Sequence, residues 1–474
     1  MKYPFLFITF IAVCSFLTGC ADDDFTTDPS HRLSFSSDTL RFDTVFTTLS
    51  SATAKLMVYN HNGKTLNINS ITLRNSGTSG FRVNVDGMKG SRFEQVEISK
   101  KDSLYIFVEV TVDPVNQDEP TRQEDVLEFE YNGVLQKVTL EAYGQDAIFW
   151  KGKIISADTL LSAGKPILVY DSLVIQPDAR LKMDAGTRLF FHDKARVIVS
   201  GSIEANGEQG NPVVFRGNRL DKLFPNLPYD GLAGQWGGIR FREESYDNYM
   251  RHTEIRGTTH GIRFDSAAVD RTKAKFEFCK IRNSSTHLIY AESSVIEASD
   301  CELVNAGGAI LYLAGGDNRF THCTIANLFS FGVISDMAVH LSNYKYDEEG
   351  EVTGLPLLRA DFNNCIIWGK RQAEINLDAA KEEQHPGLLF NHFFDYCVLR
   401  AKGEDDENFE MTVWDGDPLF LATGDDYRYD FRIDSLSAAR GKGNPTHALS
   451  CPVDLAGNPR TGVPDIGAYQ WQSQ

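Results

Sequence analysis

A short phrase that recurs through the second half of the chain constrains the fold more than any other feature of the sequence. It consists of Phe, two residues, Cys, one residue, and then Ile or Leu; the second copy has Ala in place of the Phe. Cys279, Cys301 and Cys323 follow one another at one constant interval. The copies lie at 276–281, 298–303, 320–325, 362–367 and 394–399, and 250–255 reads as an earlier copy with Thr in place of Cys.

The interval, about 22 residues, is too short for a helix-containing unit with its own core, but it suits one coil of a parallel β-helix. The Cys and the Ile or Leu two positions later point to the same side of a strand, which we take to be the inside. The Phe has the wrong parity for the same straight strand, so we predict a corner between Phe and Cys. The longer interval between Cys323 and Cys365 fits either two coils or one coil with an insertion.

Stacked coils about 4.8 Å apart would align these cysteines in an internal ladder. A free Cys behaves as a small buried hydrophobe, and we interpret the ladder as core packing. The alternative is a redox-active or metal-binding row of thiols. Neither a His nor an acidic residue recurs beside the cysteines on the inward face, and this favours packing.

Short apolar phrases with the rhythm of β-strands precede the repeats, at 173–177, 181–183, 185–186, 189–191, 201–205, 212–215 and 235–239. Together with the repeats they resemble the right-handed parallel β-helix proteins of the pectate-lyase-like superfamily. The resemblance implies a right-handed parallel β-helix over about 147–430.

Residues 31–146 alternate apolar and polar side chains with period two, as half-buried strands do. Turn signals such as Asn62-Gly63 and Asn132-Gly133 separate the short strands. Strands at this spacing predict a β-sandwich. The stretch 58–68 resembles the immunoglobulin-like domains found near the start of bacterial surface proteins. The predicted fold class is therefore all-β, with an immunoglobulin-like sandwich before the β-helix.

The N-terminus has the parts of a secretory signal: a positive Lys2, an apolar stretch at 5–16 and small residues before Cys20. The sequence Leu17-Thr18-Gly19-Cys20 resembles the lipobox of bacterial lipoproteins. That resemblance implies a signal peptide at 1–19, acylation of Cys20 by chains such as palmitate, and stable anchoring in a membrane. The alternative is an ordinary secretory signal followed by a chance Cys.

Residues 20–30 are polar and predict a tether between the anchor and the sandwich. Its acidic triplet, Asp22-Asp23-Asp24, resembles the surface-export signal of Bacteroidetes lipoproteins. The resemblance implies a lipid-anchored protein of the outer membrane that faces the outside of the cell. The alternative interpretation is a solvated linker without an export role.

The last part of the chain, from 417 to 469, resembles the tail of many bacterial β-helix proteins, sometimes called a choice-of-anchor domain. It departs from that pattern at Gln470, where the family usually has Glu. Arg460 is expected to pair with Asp465 or Asp454. We predict that residues 431–474 form a structural segment that caps the exposed last coil.

Composition excludes several classes of function. The net charge of −18 and the pI of about 5.1 argue against nucleic acid, whose phosphates would repel the chain. Cys-x-x-Cys, His-Glu-x-x-His, P-loop and dinucleotide motifs do not occur in the sequence, so we predict neither a metal nor a cofactor. Thr259-His260-Gly261 and Arg271-Thr272-Lys273 look like two of the four polygalacturonase fragments, but the two Asp fragments do not precede them, and we assign no catalytic residue.

Two groups of residues are candidates for ligand binding. Basic residues around 273–282 predict an outward row, although such a row is more often only a solvated face. Aromatic rings border the insertion 217–234 and could stack on sugars, or simply pin that loop to the coil. The candidates are Lys273, Lys275, Lys280 and Arg282 in the first group and Trp236 and Tyr229 in the second.

The hypothesis that follows is a surface lipoprotein whose β-helix presents a binding surface for a glycan or a protein, without catalysis. One alternative is a polysaccharide lyase or glycoside hydrolase with a site that the sequence does not reveal, which predicts convergent carboxylates and a base on one face of the β-helix. Another is a structural partner in an outer-membrane complex.

Overall fold

The computed structural model describes residues 24–224, 226–346 and 349–473, which divide into two compact units at Asp146 and Ala147. The proposed signal peptide and the lipid-bearing Cys20 lie outside the described residues. Strands dominate both units, and the described part of the chain has one short α-helix, Pro445–Ala448. The predicted all-β class is confirmed.

The first unit consists of two five-stranded sheets that share one hydrophobic core. The first sheet has the strand order Ser34–Phe35, Ala54–Tyr59, Ser103–Val110, Phe81–Val85 and Met88–Gly90. The second has the order Thr39–Phe46, Val134–Gln145, Thr121–Tyr131, Leu66–Leu73 and Arg92–Ile98. The pairings are antiparallel except that Val134–Gln145 runs parallel to Thr39–Phe46.

The predicted alternation positions the side chains of this unit. In Ser103–Val110, Ile106 and Val108 point inward and are buried, whereas Tyr105 and Phe107 point outward and are 47% and 39% exposed. Apolar residues at every second position thus give each sheet one face for the shared core.

The second unit contains a 26-stranded parallel sheet with a β-helix-like pairing pattern. Three short strands form one coil, and each strand pairs in parallel with its equivalent in the next coil. Ile148–Ile155, Thr159–Leu161 and Ile167–Ile175 begin the unit. The coils present three faces to the outside, here called A, B and C.

Each face is a column of parallel strands. Ile289–Ser299 and Leu311–Thr321 are long enough to pass from face A onto face B. Face A also has Arg196–Val199, Gly238–Phe241, Ile262–Phe264, Val339–Ser342 and Ile375–Asp378. Face B has Arg180–Asp184, Ser202–Asn206, Asn248–Arg251, Ala274–Glu277, Leu357–Asn363, Phe393–Asp395 and Phe409–Glu410. Face C has Arg188–Phe191, Val213–Gly217, Thr253–Thr258, Lys280–Ser284, Glu302–Ala306, Thr324–Asn327, Ile366–Gly369, Val398–Leu399 and Val413–Trp414.

The repeated phrase aligns between coils as predicted. Its Phe lies at the end of a face B strand and its Cys just before a face C strand, so a corner separates them. The residue before each Cys makes that corner with a φ between 51° and 55°, at positions 278, 300, 322, 364 and 396. Phe320 pairs directly with Phe362, so the longer interval is one coil with an insertion, which includes the hairpin of Tyr344–Tyr346 and Val352–Gly354.

The interior of the coils is a set of stacked ladders. Phe320, Phe362 and Phe394 are fully buried, with ring centroids 5.1 and 4.8 Å apart. The five repeat cysteines are buried and unbridged. The thiol of Cys365 donates to the carbonyl oxygen of Phe320 in the coil before it, at 3.4 Å, and the other four make equivalent bonds. The ladder is therefore part of the core.

The C-terminal segment packs on the side of the β-helix, and whether it also caps the last coil stays a prediction. Its strands Phe420–Thr423 and Tyr429–Ile433 belong to a hydrophobic cluster with face C. The cluster joins Val304, Ala326, Ile366, Trp368 and Val398 of face C to Phe431, Ile433, Leu455, Ile466, Ala468 and Tyr469 of the tail. Face C presents apolar residues over several coils, and the tail buries them.

Candidate functional site

Face C is not a free surface where the tail covers it. Arg460 reaches Asp300 instead of the predicted Asp465 or Asp454, with 2.5 Å between Nη1 and Oδ1. Both side chains are almost completely buried. Tyr469 donates its hydroxyl proton to Glu302 at 2.6 Å. Backbone amides of the tail occupy the two Asp carboxylates that the sequence suggested as partners.

The insertion between Gly217 and Gly234 covers earlier coils of face C. The amide of Asn283 donates to the carbonyl oxygen of Gly231 at 3.0 Å, and Asp230 pairs with Arg256 at 2.5 Å. These contacts support the interpretation that the loop is pinned to the coil. Tyr229 lies half-buried in this loop with the guanidinium of Arg219 3.8 Å above its ring.

The expectation that Trp236 stacks on a sugar is wrong, because its side chain is fully buried. The indole packs on Phe191 at a centroid distance of 4.1 Å and donates to the carbonyl oxygen of Arg256 at 2.9 Å. Gly238 has a φ of 101°, and a Cβ at that position would lie 2.2 Å from a backbone oxygen of the next coil. Gly238 thus allows a tight turn two residues after the buried Trp.

The basic residues at 273–282 do not form one outward row. Lys273 is buried, and its ammonium donates to the carbonyl oxygens of Arg242 and Glu243 at 2.7 and 3.1 Å. Lys275 lies on face B, whereas Lys280 and Arg282 follow the corner and lie on face C. The predicted row is wrong because a corner with positive φ at Phe278 divides it.

Face B carries oppositely charged side chains on neighbouring strands. Lys275 pairs with Glu277 at 2.8 Å, and Tyr249 donates to the same carboxylate at 2.5 Å. Arg319 and Arg359 approach Asp317 at 3.7 and 3.6 Å further along the face. Ion pairs of this kind are typical of an ordinary solvated surface. Whether Tyr229, Lys275, Lys280 or Arg282 binds a ligand stays a prediction.

Face A presents a column of aromatic side chains on successive coils. Tyr290, Tyr312 and His340 share one register position, and the alternation of the strands directs all three outward. The ring centroids of Tyr290 and Tyr312 are 5.0 Å apart, and those of Tyr312 and His340 are 4.3 Å apart. The imidazole of His287 adds a fourth ring, 5.0 Å from Tyr312. The result is a partly buried aromatic surface that extends over three coils.

Two carboxylates flank the imidazole of His340. Nδ1 lies 2.8 Å from Oδ2 of Asp336, and Nε2 lies 3.7 Å from Oδ2 of Asp378. Burial by itself would raise the pKa of Asp336, but the hydrogen bond and charge of His340 help to bring it below its ordinary value. Tyr344, from the hairpin, donates to Asp378 at 2.9 Å. An imidazole between two carboxylates is an arrangement that can accept and donate protons.

A third carboxylate, Glu292, lies beside Tyr290 and is largely buried. It accepts hydrogen bonds from the Tyr290 hydroxyl at 3.0 Å and from Lys345 at 2.7 Å. Arg263 pairs with it at 3.2 Å and also lies 4.7 Å from the centroid of the Tyr290 ring. The two cations are more exposed than the carboxylate they share, so a ligand on this part of face A would meet the cations first.

Two groups at the centre of the column have free hydrogen-bonding capacity. Burial raises the pKa of Tyr312, and the charges of Asp336 and Asp378 raise it further, so the phenol stays protonated at neutral pH. Within the part of the chain that the structure describes, its hydroxyl makes no hydrogen bond. Burial also lowers the pKa of His287. Its Nδ1 accepts from the amide of Ala309 at 3.0 Å, which leaves the proton of the neutral ring on Nε2.

Sequence reasoning missed the face A column, although one signal for it was present. Tyr290 and Tyr312 are separated by the same interval as the first three cysteines of the repeat. Side chains one coil apart at the same register position must lie side by side. His340 follows Tyr312 at a longer interval, because an insertion that includes Asp336 lengthens that coil and hides the register.

The described residues offer little support for a metal site or for reactive thiols. In residues 24–224, 226–346 and 349–473, no three His, Cys, Asp or Glu side chains come together as a metal site would require. Burial raises the pKa of the Cys301, Cys323 and Cys365 thiols well above the ordinary value, and this opposes the formation of reactive thiolates. No helix in the described part of the chain has the length and apolar character that a membrane span requires.

Comparison with known proteins does not assign a family. No family model and no curated protein matches the chain. Among solved structures, one match is a family 123 glycoside hydrolase from Clostridium perfringens, described in connection with glycolipid glycan hydrolysis, with 8% identity and a TM-score of 0.18 over 25% of this chain and 30% of that one. Another is a protein of unknown function from Porphyromonas gingivalis W83, with 14% identity and a TM-score of 0.18 over 28% of this chain and 58% of that one. The matched regions thus span less than two thirds of both structures, and the likeness carries no functional argument.

Proposed function

We propose that this protein is a surface lipoprotein that binds a glycan on face A of its β-helix. The observation that carries the proposal is the column of Tyr290, Tyr312 and His340 with carboxylates and cations at its edges. In this proposal the chain is held at the outer membrane by acylated Cys20, and its first unit is an immunoglobulin-like spacer. The β-helix is right-handed, as nearly all parallel crossovers are, and its tail is of the choice-of-anchor type.

The chemistry of the column favours a polyhydroxylated ligand over an apolar one. The phenol of Tyr312 and the Nε2–H of neutral His287 are donors without partners among the described residues, and Asp378 is a partly exposed acceptor. A sugar can satisfy several such groups at once, whereas an apolar ligand would leave them buried and unpaired. Tyrosine rings also supply apolar surface at the edge of the same site.

The coils supply a regular spacing along the ligand. Equivalent side chains on face A recur at the distance between neighbouring parallel strands, about 4.8 Å. An extended ligand with repeated hydroxyl groups could therefore make a similar contact on each of the three coils. This supports binding to a chain of sugars rather than to a single one.

A glycan array with the purified protein tests the proposal. We expect one class of glycan to bind, and Tyr312→Ala to lose that binding. Tyr249→Ala is the matched control, because Tyr249 is a half-buried tyrosine on face B. The proposal fails if no glycan binds, or if the Tyr249 variant loses binding and the Tyr312 variant keeps it.

A second candidate function is glycan cleavage, and the two carboxylates around His340 favour it. The enzyme hypothesis predicted convergent carboxylates and a base on one face, and Asp336, Asp378 and His340 fit that description. Incubation with neutral and acidic polysaccharides, followed by measurement of new reducing ends, tests this candidate. Turnover that His340→Ala abolishes and Tyr249→Ala preserves would favour the enzyme over the binding protein. An absence of turnover on glycans that the array selects would exclude it.

A further inference from the structure

A row of three arginines runs across neighbouring coils of face C. Arg256 pairs in register with Arg282, and Arg216 occupies the same register position one coil earlier. Each of the three follows a buried apolar residue of its strand, so the alternation of the strands directs all three outward. Like charges on neighbouring strands repel one another. Negative charge beside the row would therefore stabilise it.

The insertion at 217–234 supplies a negative partner to the first two arginines. Oδ1 of Asp230 lies 3.2 Å from Nε of Arg216 and 2.5 Å from Nε of Arg256. Burial by itself would raise the pKa of Asp230, but the charges of the three arginines help to hold it below its ordinary value. A carboxylate between two neighbouring arginines is thus an arrangement that this row already stabilises once.

The third arginine, Arg282, has no such partner in the part of the chain that the structure describes. Its guanidinium forms neither an ion pair nor a hydrogen bond there, although the residue is partly buried. None of its nitrogens belongs to the unpaired polar atoms that are shut off from solvent, so a ligand can reach the group. The next position of the row is Val304, which the tail buries. Arg282 therefore lies between the coils that the insertion covers and those that the tail covers.

Lys280 places a second cation beside Arg282. It precedes Arg282 by two residues on the same strand, so both side chains point outward. Lys280 forms no ion pair within residues 24–224, 226–346 and 349–473. The carboxylates around the two cations already have partners, which are Arg256 for Glu254, Tyr469 for Glu302 and Arg432 for Asp430. Two adjacent cations thus lack a direct counter-ion in a chain whose net charge is −18.

We propose that Lys280 and Arg282 bind the carboxylate group of a ligand, at a site separate from face A. A planar carboxylate can accept two parallel hydrogen bonds from one guanidinium. It would repeat beside Arg282 the arrangement that Asp230 makes with the first two arginines. Sulfate and other dianions fit less well, because Glu254 and Glu302 lie on either side of Lys280 and would repel a second negative charge.

Saturation-transfer difference NMR on the full-length protein tests the site with two carboxylates, benzoate and glucuronate. Benzamide and methyl glucoside are their uncharged counterparts. We expect at least one carboxylate to bind, and Arg282→Met to weaken that binding about tenfold, the equivalent of about 1.4 kcal/mol. Lys280→Met should weaken it as well. Neither uncharged counterpart should show binding that depends on Arg282.

The two carboxylates also distinguish the sources of the group. If both bind and both need Arg282, the site recognises the carboxylate itself. If only glucuronate binds in this way, the ligand is a sugar acid. Sulfate should compete with either probe only weakly.

Variants on other faces make the result specific. Arg251→Met and Lys275→Met each remove a face B cation that is paired with Glu277, so carboxylate binding should persist in both. Tyr312→Ala should also keep it, which separates this site from the proposed glycan site on face A. An unchanged urea midpoint for Arg282→Met would show that the variant is folded.

Four results would overturn the proposal. They are no binding of either carboxylate, wild-type binding by both Arg282→Met and Lys280→Met, an equal loss in the face B variants, and sulfate binding as tight as that of the carboxylates.

Discussion

The stacked Phe ladder makes a quantitative prediction about the coils. Phe362 is fully buried between the rings of Phe320 and Phe394. Replacing a buried Phe by Ala costs about 3–5 kcal/mol, through lost burial and the cavity that remains. With an m value of about 2–3 kcal/mol per molar urea, Phe362→Ala should lower the unfolding midpoint by about 1–2.5 M. The comparable Phe224→Ala removes a ring that is 56% exposed, and it should change the free energy of unfolding by less than about 0.5 kcal/mol.

Tryptophan fluorescence during urea unfolding measures this effect, because all the tryptophans lie in the second unit. The double variant Phe320→Ala/Phe362→Ala adds a sharper test. Since the two rings touch, the double loss should differ from the sum of the single losses by about 0.5–1.5 kcal/mol. Equal losses of stability for Phe362→Ala and Phe224→Ala would refute the stacked arrangement. Strict additivity of the losses from Phe320→Ala and Phe362→Ala would refute it as well.

Three further predictions follow from individual residues. Arg460→Met leaves the buried carboxylate of Asp300 unpaired and should cost about 3–5 kcal/mol of the free energy of unfolding, measured in urea; a wild-type midpoint would contradict the docked tail. Burial lowers the pKa of Lys273 to about 8, so the wild type should gain stability relative to Lys273→Met as the pH rises from 8 towards 10, where the folded side chain has lost its proton and the unfolded one has not; parallel stability curves would show that no such shift exists. Cys20→Ala should move the protein from the membrane fraction to the soluble fraction, and retention on membranes would argue against a lipid anchor.

The coils could be predicted from the sequence, because each position of the repeated phrase corresponds to a fixed side-chain direction in the fold. The Cys and the Ile or Leu of each copy must face inward together, and this parity placed the corner after the Phe. The positive φ of Phe278, Asp300 and His322 cannot be recognised in the sequence, since these corner residues are of three different types. The sequence could therefore predict the corner but not its backbone conformation.

The covering of the faces depends on contacts that local patterns do not encode. Arg460 had two acidic neighbours in the tail, yet its partner Asp300 lies far earlier in the chain, at the corner before a face C strand. Ile366 and Trp368 follow the alternation of a half-exposed strand, and only the packed tail explains why they are buried. Long-range packing of this kind had to be read from the structure.

The sequence did not reveal the candidate site for two reasons. An insertion interrupts the repeat before His340, and the aromatic residues beside the glycine-rich loop were the more obvious candidates for binding. Trp236 beside a glycine-rich loop looked like a platform, but its side chain lies fully in the core. Tyr290 and Tyr312 looked like ordinary strand residues, although they obey the same interval as the cysteine ladder. Applying the repeat length to every outward position, not only to the cysteines, would have found the first two rings of the column.

A crystal structure of the protein with the glycan selected by the array would test the central claim most directly. Our account predicts electron density for sugar rings along face A, in contact with the Tyr312 hydroxyl and the imidazole of His287. The same crystals should show no sugar on face B, where the charged side chains already pair with one another. A glycan bound only to face B or to the tail, with Tyr312 and His287 open to solvent, would contradict the account.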